Sequence, residues 1–464
     1  MIVVRDAEVA GRRADVLIDG AQIATIAPRV AVPAGAEVIE ARGGALLPGL
    51  HDHHLHLLGM AAARRSVLAG PPGVRTPAEL ADALRRAARE LEPGAWLRAV
   101  GYHHSVAGSL GRVELDRVVA DRPVRVQHRS GATWMLNSMA LDRLGIAALD
   151  RPGIERDGAG CPTGRLHGLD DWLRGRVAGP PPALAPVGEE LARYGVTGVT
   201  DATPTERAED AELLAAAVRA GDLPQRIRLT GGLRLPADAG ALLPRGPVKL
   251  VVDDHDLPGL DELATSIAAA HHRGRPVAVH AVTRAALLLA LAAWDEAGPH
   301  AGDRLEHGAV VPPGQAARLA ALGITVVTQP AFVRDRGDDY LVEVEADDVA
   351  HLWPCRSLAD AGVGIGGSSD APFGHPDPWR AMSAATTRRT LGGRMLGLEE
   401  RIGPEAALRL YLAPLDDPGG PPRTLQPGGD ADLVLLGVPL VEALANPCAD
   451  VVVTTVCQGR LRQS

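Results

Sequence analysis

The sequence predicts an α/β protein built around a barrel of eight parallel strands, with a small β domain formed from both chain ends. Three observations lead to this prediction. Apolar segments alternate with helical segments through the centre of the chain, eight such apolar segments occur there, and both ends contain only strand-like segments separated by turns. Because βα repeats with nearly continuous apolar strands form parallel sheets, eight of them favour a barrel.

The chain ends predict the small β domain. Residues 1–47 contain four short apolar strands, at Ile2–Val4, Val16–Ile18, Ile23–Ile26 and Glu37–Ile39. Residues 423–464 add two more, at Ala431–Leu436 and Val451–Val456. Neither end has enough strands for a stable sheet by itself, so we expect the two ends to form one domain together.

The predicted barrel covers residues 48–422. Its strand candidates are Ala45–Leu50, Gly198–Ala202, Arg226–Thr230, Val248–Val252, Pro276–His280, Arg304–Ala309, Ile324–Thr328 and Val363–Gly366. Helices are predicted between several of them, at Leu260–His272, Arg284–Ala297 and Pro313–Leu322. Residues 60–192 break the alternation, and we interpret them as an insertion after the first barrel strand. Insertions at the C-terminal face of a barrel can cover a pocket.

Composition narrows the classes of function. The 464 residues carry a net charge of −9, whereas a protein that binds nucleic acid through its phosphates is normally basic. No apolar run reaches the roughly 18 residues that a membrane span needs. The four cysteines are scattered without a CxxC pair, so we expect no disulfide framework and a cytoplasmic location. The expected partner is a small-molecule substrate, and a homodimer is an open option.

Lys249 is the only lysine among the 48 basic residues of the chain. Arginine stays protonated and cannot react as an amine, whereas a buried lysine can lose its proton and react. A chain that uses arginine everywhere else therefore indicates a specific need for an amine at position 249. The alternative is an ordinary lysine that pairs with an acid or extends its ammonium to the surface.

The first candidate site lies in the segment Pro48–His56, which reads PGLHDHHLH. Residues two apart in a strand share a face, so His54 and His56 could bind one metal ion, with Asp52 on the same side as an outer partner. With 16 histidines in the chain, about 0.5 such pairs are expected by chance, so the pair alone is weak evidence. Surface or capping histidines are the alternative.

Four further polar residues follow apolar strands at the points where these strands end. They are Lys249, His280, His307 and Asp370. The ends of all barrel strands meet around one pocket, so we expect these groups to lie together with the histidine pair. Imidazoles and carboxylates bind zinc and similar divalent ions. A desolvated lysine amine is often neutral and can take up CO₂ as a carbamate, which is an anion able to bridge two metals.

These segments resemble the metal-dependent amidohydrolase superfamily, in particular its YtcJ-like branch. The resemblance covers nearly the whole chain. It rests on an ordered set of motifs: PGLHDHHLH at 48–56, VK at 248–249, HA at 280–281 with Arg284, RLEH at 304–307, QP at 329–330, SDAP at 369–372 and PGGDADLV at 427–434. Segments 111–116, 122–124 and 134–138 resemble the insertion domain of that branch.

The resemblance implies a distorted TIM-like (β/α)8 barrel with a small β-sandwich domain built from both termini and an insertion after the first barrel strand. It implies that His54 and His56 bind a first metal, that His280 and His307 bind a second, and that Lys249 bridges them as a carbamate. Asp370 would bind the first metal and act as the acid/base. The expected cofactor is one or two divalent ions per chain, with zinc as the expected metal.

We therefore predict a hydrolase of a carbon–nitrogen bond, in a non-peptide or cyclic amide. Metal-activated hydroxide attacks the carbonyl, and Asp370 takes up a proton and then delivers it to the leaving nitrogen. Arg284, Glu306 and Gln329 are candidates to support the metal ligands or bind substrate, with ion pairing and packing as the alternative. For Trp134 and Asn137 in the insertion, core packing and helix capping compete with a place at the pocket.

Departures from the family pattern affect only the expected substrate. Gly131 stands where the family usually has histidine, and Val282-Thr283 where it usually has Gly-Asp. Three other functions stay open. A mononuclear deaminase would leave Lys249 unmodified, an ester or lactone hydrolase would use the same residues, and a non-catalytic protein would only bind its ligand on this fold. The number of metal ions per chain separates the mononuclear, binuclear and non-catalytic cases.

Overall fold

The computed structural model describes residues 1–177, 179, 181–205, 207–235, 242–252 and 257–463. The chain divides into two compact units. The first comprises Met1–Leu57 and Leu184–Ser464, and the second comprises Leu58–Ala183. In the described ranges, no helix is both long enough and apolar enough to cross a membrane.

The elements of the N-terminal part follow in chain order. The first segment contributes strands β1 (Ile2–Val9), β2 (Arg12–Asp19), β3 (Gln22–Ala27), β4 (Glu37–Glu40), β5 (Leu46–Pro48) and β6 (Leu50–Leu55). The next segment contributes α1 (Leu57–Ala63), β7 (Val67–Leu68), α2 (Pro77–Glu90), β8 (Leu97–Tyr102), α3 (His104–Ala107), α4 (Arg112–Val118), β9 (Val124–His128), β10 (Thr133–Leu136), α5 (Ser138–Leu144), β11 (Ile154–Arg156), β12 (Pro162–His167) and α6 (Asp170–Arg174).

The remaining elements complete the first unit. The βα region contains α7 (Ala185–Arg193), β13 (Val196–Asp201), α8 (Ala208–Ala220), β14 (Arg226–Leu229), β15 (Val248–Val251), α9 (Leu260–His271), β16 (Val277–Ala281), α10 (Arg284–Ala297), β17 (Arg304–His307), α11 (Pro313–Leu322), β18 (Thr325–Thr328), α12 (Ala331–Glu343), α13 (Ala346–Val349), α14 (Cys355–Asp360), β19 (Ile365–Gly367), α15 (Pro378–Thr387) and α16 (Pro404–Arg409). The C-terminal part contains β20 (Leu433–Leu436), α17 (Leu440–Ala445), β21 (Val452–Cys457) and β22 (Arg460–Gln463).

The chain ends form two four-stranded sheets, in the orders β3-β2-β1-β4 and β22-β21-β20-β5. One apolar cluster draws on both sheets, with Val4 and Ile18 from the N-terminal end and Leu433, Leu435 and Val456 from the C-terminal end. The two ends thus share a core, as the small number of strands in each end requires. The β-sandwich and its limits, 1–47 with 423–464, stay predictions.

Eight parallel strands make up the α/β part of the first unit. They form a three-stranded sheet, β14-β13-β6, and a five-stranded sheet, β15-β16-β17-β18-β19. At one junction the Lys249 amide donates to Gly231 O at 3.0 Å, and at the other the Asp370 amide donates to His54 O at 2.8 Å. Seven of the eight predicted strands are therefore present in the predicted order, and the α/β class is confirmed.

The first strand predicted for the barrel lies one segment further along the chain than the sequence predicts. Leu46–Pro48 pairs antiparallel with β20 of the C-terminal sheet, whereas Leu50–Leu55 pairs parallel with β13. The chain passes from one sheet to the other at Gly49, where a Cβ atom would lie 2.2 Å from the Thr197 side chain. Only glycine permits this close approach. As a result His54 lies within a strand and His56 directly follows it.

Local sequence signals explain why the helices between these strands begin and end where they do. Helix α10 begins after Thr283, whose hydroxyl accepts from the Ala286 amide at 3.1 Å, and ends at Gly298. Its buried face includes Leu287, Leu291 and Trp294, which pack in one apolar cluster with the strands β15 to β18. This packing holds the carboxyl ends of the strands in place, and most of the predicted site residues lie there.

Candidate metal centre

His54, His56 and Asp370 form a group that could hold a metal ion. The Nε2 atoms of His54 and His56 lie 3.5 Å and 3.3 Å from the same carboxylate oxygen, Oδ1 of Asp370. His54 is buried and only 8% of Asp370 is exposed. The pattern HxH therefore places two imidazole nitrogens around one oxygen, as predicted from the alternation of side chains along a strand.

His280 and His307 continue this group on the neighbouring strands. The ring centroids of His280 and His307 lie 4.4 Å apart, and those of His54 and His307 lie 4.8 Å apart. Burial lowers the pKa of His280 to about 3 and lowers that of His307 well below its ordinary value. Since both rings are neutral at physiological pH, their nitrogens can offer lone pairs to a cation.

Lys249 lies close to the histidine group and to the carboxylates of Glu306 and Asp370. Its Nζ atom is buried and has no hydrogen-bond partner among the described residues. Burial lowers the pKa of Lys249 to about 8, which the carboxylates of Glu306 and Asp370 partly oppose. After burial, the positive charge of Lys249 is the next largest influence that lowers the pKa of His54 and of His280. The lone lysine of the chain therefore faces the histidine group as a largely desolvated amine.

Two of the predicted ligands have left-handed backbone conformations. The φ angle is 70° at His307 and 55° at Asp370. Residues other than glycine seldom adopt positive φ, and such conformations persist where the surrounding structure determines them. His307 is the last residue of β17 and Asp370 lies three residues after the end of β19, so the strained backbone turns their side chains into the group at the strand ends.

A buried ion pair supports His54 from behind. Its Nδ1 donates to Glu306 Oε2, and Arg304 Nε lies 2.6 Å from the other oxygen of Glu306. Although burial raises the pKa of Glu306, the charges of Arg304 and Lys249 hold it below its ordinary value. Because the carboxylate keeps the proton on Nδ1, the His54 Nε2 lone pair points toward Asp370. A carboxylate in this position fixes ring and tautomer in many metal sites.

Two further histidines are held through Nδ1 in the same way. His307 Nδ1 lies 2.9 Å from Gln329 Oε1, and the Gln329 amide nitrogen donates to Ser368 Oγ at 2.8 Å. His56 Nδ1 lies 3.1 Å from Thr203 Oγ1. Both partners can accept a proton from Nδ1, which leaves Nε2 free for a metal.

Asp52 joins the backbone of the two segments that carry His54 and Asp370. Its Oδ1 accepts from the amides of His54 and Ser369, both at 3.1 Å. Burial raises the pKa of Asp52 to about 7, although hydrogen bonds from Ser369 and His54 oppose this shift. The predicted place of Asp52 beside the histidine pair thus corresponds to a backbone brace between β6 and the loop that carries Asp370.

Three other predicted residues have partners away from this group. Arg284 Nε donates to Asp348 Oδ1 at 2.6 Å, and 41% of the arginine side chain is exposed. In the second unit, Trp134 packs in an apolar cluster and its indole N–H donates to Asp170 at 2.9 Å. Asn137 caps α5 by accepting from the Ala140 amide. These contacts match the alternatives of ion pairing, packing and capping, and a role with substrate stays a prediction.

The donor set fits a divalent metal. It combines neutral imidazoles, held through Nδ1, with one carboxylate and a buried amine that lacks a hydrogen-bond partner among the described residues. Such nitrogen and oxygen donors suit zinc and related ions. An unpaired buried amine costs free energy unless it is neutral, modified or next to a ligand. The geometry therefore agrees with a site for a divalent ion.

Sequence reasoning did not assign a role to Arg304, Thr203 or Ser368. Arg304 lies two residues before Glu306 in the same strand, so the spacing could have indicated a buried pair on one face. Thr203 and Ser368 carry no such signal, since their partners are 147 and 39 residues away in the chain.

Known proteins resemble this chain over nearly its full length. Residues 37–462 match the family model described as the amidohydrolase family. An N-substituted formamide deformylase of Arthrobacter pascens is 29% identical, over 96% of this chain and 94% of that protein. The protein YtcJ of Bacillus subtilis is 25% identical, over 76% of this chain and 75% of that protein.

The fold recurs in a solved structure. An uncharacterized metal-dependent hydrolase from Pyrococcus furiosus superposes with a TM-score of 0.70 at 22% identity, over 94% of this chain and 98% of that one. Fold and site together define a hydrolase of carbon–nitrogen bonds that depends on a metal, which confirms the predicted enzyme class. The chain belongs to the amidohydrolase family, and its predicted resemblance to the YtcJ-like branch is confirmed.

Proposed function

We propose that this protein hydrolyses the carbon–nitrogen bond of a small non-peptide amide, with an N-substituted formamide as the first substrate class to test. The observation that carries the proposal is the desolvated amine of Lys249 facing the buried rings of His54 and His307, the half-buried ring of His280, and Asp370. The relative from Arthrobacter pascens, which is named for the removal of a formyl group from nitrogen, supports this substrate class. Cyclic amides are the second candidate.

His54, His56 and Asp370 would hold one divalent ion, and His280 and His307 a second. Lys249 would lie between them. When bound, such ions supply Lewis acidity and lower the pKa of water toward neutrality. Zinc is the expected metal because imidazole nitrogens dominate the donor set.

Lys249 would contribute as a carbamate. The protonated amine first loses one proton, and the neutral amine then adds to CO₂ and releases a second, which leaves an anion in place of a cation at the centre of the site. With a pKa of about 8, far more of Lys249 is neutral at neutral pH than for an ordinary lysine at 10.5. Glu306, Gln329 and Thr203 would keep a proton on Nδ1 of His54, His307 and His56, respectively, so that Nε2 of each ring faces the metal.

Asp370 would move the proton of the reaction. The Nε2 atoms of His54 and His56 both lie close to its Oδ1 atom. The carboxylate accepts a proton from the attacking water as the new carbon–oxygen bond forms. It then gives this proton to the leaving nitrogen as the carbon–nitrogen bond breaks, so one amide and one water yield a carboxylic acid and an amine.

The test measures hydrolysis of matched substrates by the full chain. N-substituted formamides, cyclic amides and esters of the same shape are compared, with the protein first stripped by a chelator and then reloaded with zinc. We expect release of formate and amine in equal amounts, loss of turnover on stripping, and recovery with zinc. Turnover of esters alone, or ammonia release from an amino-substituted ring, would replace this proposal with the esterase or the deaminase.

A further inference from the structure

Three histidines of the second unit lie together at the ends of two neighbouring strands. The parallel strands β8 and β9 are paired so that Tyr102 lies opposite His128, and the Arg129 amide donates to Tyr102 O at 2.8 Å. His103 and His104 follow the end of β8 directly. Because parallel strands end at the same edge of a sheet, all three imidazoles occupy one edge.

Their geometry is that of a metal site. One ring nitrogen of each histidine lies within 4.8 Å of those of the other two. The ring centroids of His103 and His104 are 4.0 Å apart, and those of His103 and His128 are 5.8 Å apart. In a tetrahedral zinc site the ligand nitrogens lie about 3.3 Å from one another, so ring movements that bring these nitrogens closer by up to about 1.5 Å would complete the arrangement.

Two serines support the rings as metal sites require. His103 Nδ1 lies 2.8 Å from Ser105 Oγ, and His128 Nδ1 lies 2.8 Å from Ser130 Oγ. The same spacing, HxS, occurs at both positions. The Ser130 amide also donates to Nδ1 of His128 at 3.2 Å, so metal binding through Nε2 would have to replace this bond by one in which Nδ1 donates to Ser130 Oγ. Nε2 then offers its lone pair.

We propose that His103, His104 and His128 bind one zinc-type divalent cation. This site lies within the second unit and uses none of the six residues that are proposed to hold metal in the first unit. It therefore goes beyond the proposed function. Three imidazole nitrogens suit zinc, and they leave a fourth coordination position for water or a small anion. The ion would connect the ends of β8 and β9. The competing explanation is three histidines with purely structural hydrogen bonds.

The test counts zinc on the full chain. Metal-free protein is titrated with zinc against a chromophoric chelator, for the wild type and for the double variant His103→Ala/His128→Ala. We expect the double variant to bind about one ion fewer per chain. His167→Ala is the control, because His167 belongs to the same unit and pairs with Glu155 at 3.4 Å. It should bind as many ions as the wild type.

A milder pair of variants keeps the proposal testable if the buried His103 is needed for folding. Ser105→Ala with Ser130→Ala retains all three imidazoles, and we expect its zinc affinity at this site to fall about 10-fold to 100-fold. Equal zinc content and affinity in the wild type and in both sets of variants would overturn the proposal. The double variant His54→Ala/His56→Ala should weaken binding of the ion proposed for the first unit and leave the ion at His103, His104 and His128 in place. The two metal proposals can therefore fail separately.

Discussion

Glu306 provides the sharpest test of how the metal centre is held. Its carboxylate is completely buried, accepts from His54 Nδ1 and pairs with the equally buried Arg304 at 2.6 Å. Glu306→Gln keeps the shape of the side chain and removes its charge. The change therefore leaves the Arg304 guanidinium without its counter-charge and weakens the control over the His54 tautomer.

Both effects can be given a magnitude. Breaking one partner of a buried ion pair costs about 3–5 kcal/mol of stability. Loss of the carboxylate behind a metal-binding histidine lowers metal affinity about 10-fold to 100-fold. We expect Glu306→Gln to show both losses. Urea denaturation of metal-free protein measures the first, and zinc titration measures the second, so bound metal does not mask the stability change.

The same substitution at an exposed pair is the control. Glu155 pairs with Arg165 at 2.8 Å, but the two side chains are 33% and 26% exposed. Exposed pairs contribute about 0–1 kcal/mol, so Glu155→Gln should change stability little and should leave zinc binding at the barrel unchanged. If Glu306→Gln were no less stable than Glu155→Gln and bound zinc as tightly as the wild type, the support assigned to Glu306 would be wrong.

Variants at three other residues test separate parts of the site. The pKa of Asp52 is raised to about 7 by burial, so folding is penalised as pH rises from about 4 past 7, by up to about 4 kcal/mol in metal-free protein. Denaturation curves between about pH 5 and 8 should thus show Asp52→Asn as more stable than the wild type. The control Asp15→Asn should be less stable than the wild type in the same range. Its reason is that backbone hydrogen bonds hold the pKa of Asp15 below its ordinary value despite burial. Asp370→Asn should fold normally and lose about 10²-fold to 10⁴-fold in kcat. Asp348→Asn, which changes the partner of Arg284, is the control. Near-normal turnover of Asp370→Asn would exclude the acid/base role. Lys249→Arg should lose bridged metal and activity, and Lys249→Ala should regain part of its activity with a short carboxylic acid; a fully active arginine variant would contradict the carbamate.

Much of the fold follows from local patterns. Helices α10 and α11 have the bounds that the sequence predicts, because Thr283 and Pro312-Pro313 mark their starts and glycines mark their ends. The first strand predicted for the barrel was misplaced, because Leu46–Pro48 is apolar whereas Leu50–Leu55, which reads LHDHHL, has four polar residues of six. The chain changes sheet at Gly49, which packs closely against Thr197, and periodicity does not report such a contact.

The six residues predicted to bind metal could be proposed from the sequence because strand periodicity and chain order are local properties that a single sequence displays, and their role stays a prediction. The partners of these residues were not found in the same way. His54 meets a carboxylate 252 positions away and His56 meets a hydroxyl 147 positions away. Such pairs depend on the register between strands and on which side chains packing buries together.

The sequence by itself therefore determined the type and order of the donor groups, including the one amine in a chain of arginines. Only the tertiary structure decided which nitrogen of each ring is held, how far Lys249 is desolvated, and where Arg284, Trp134 and Asn137 find their partners. The physical reason is that proton position and desolvation depend on neighbours in space. Residues far apart in the chain become neighbours only when the strands align.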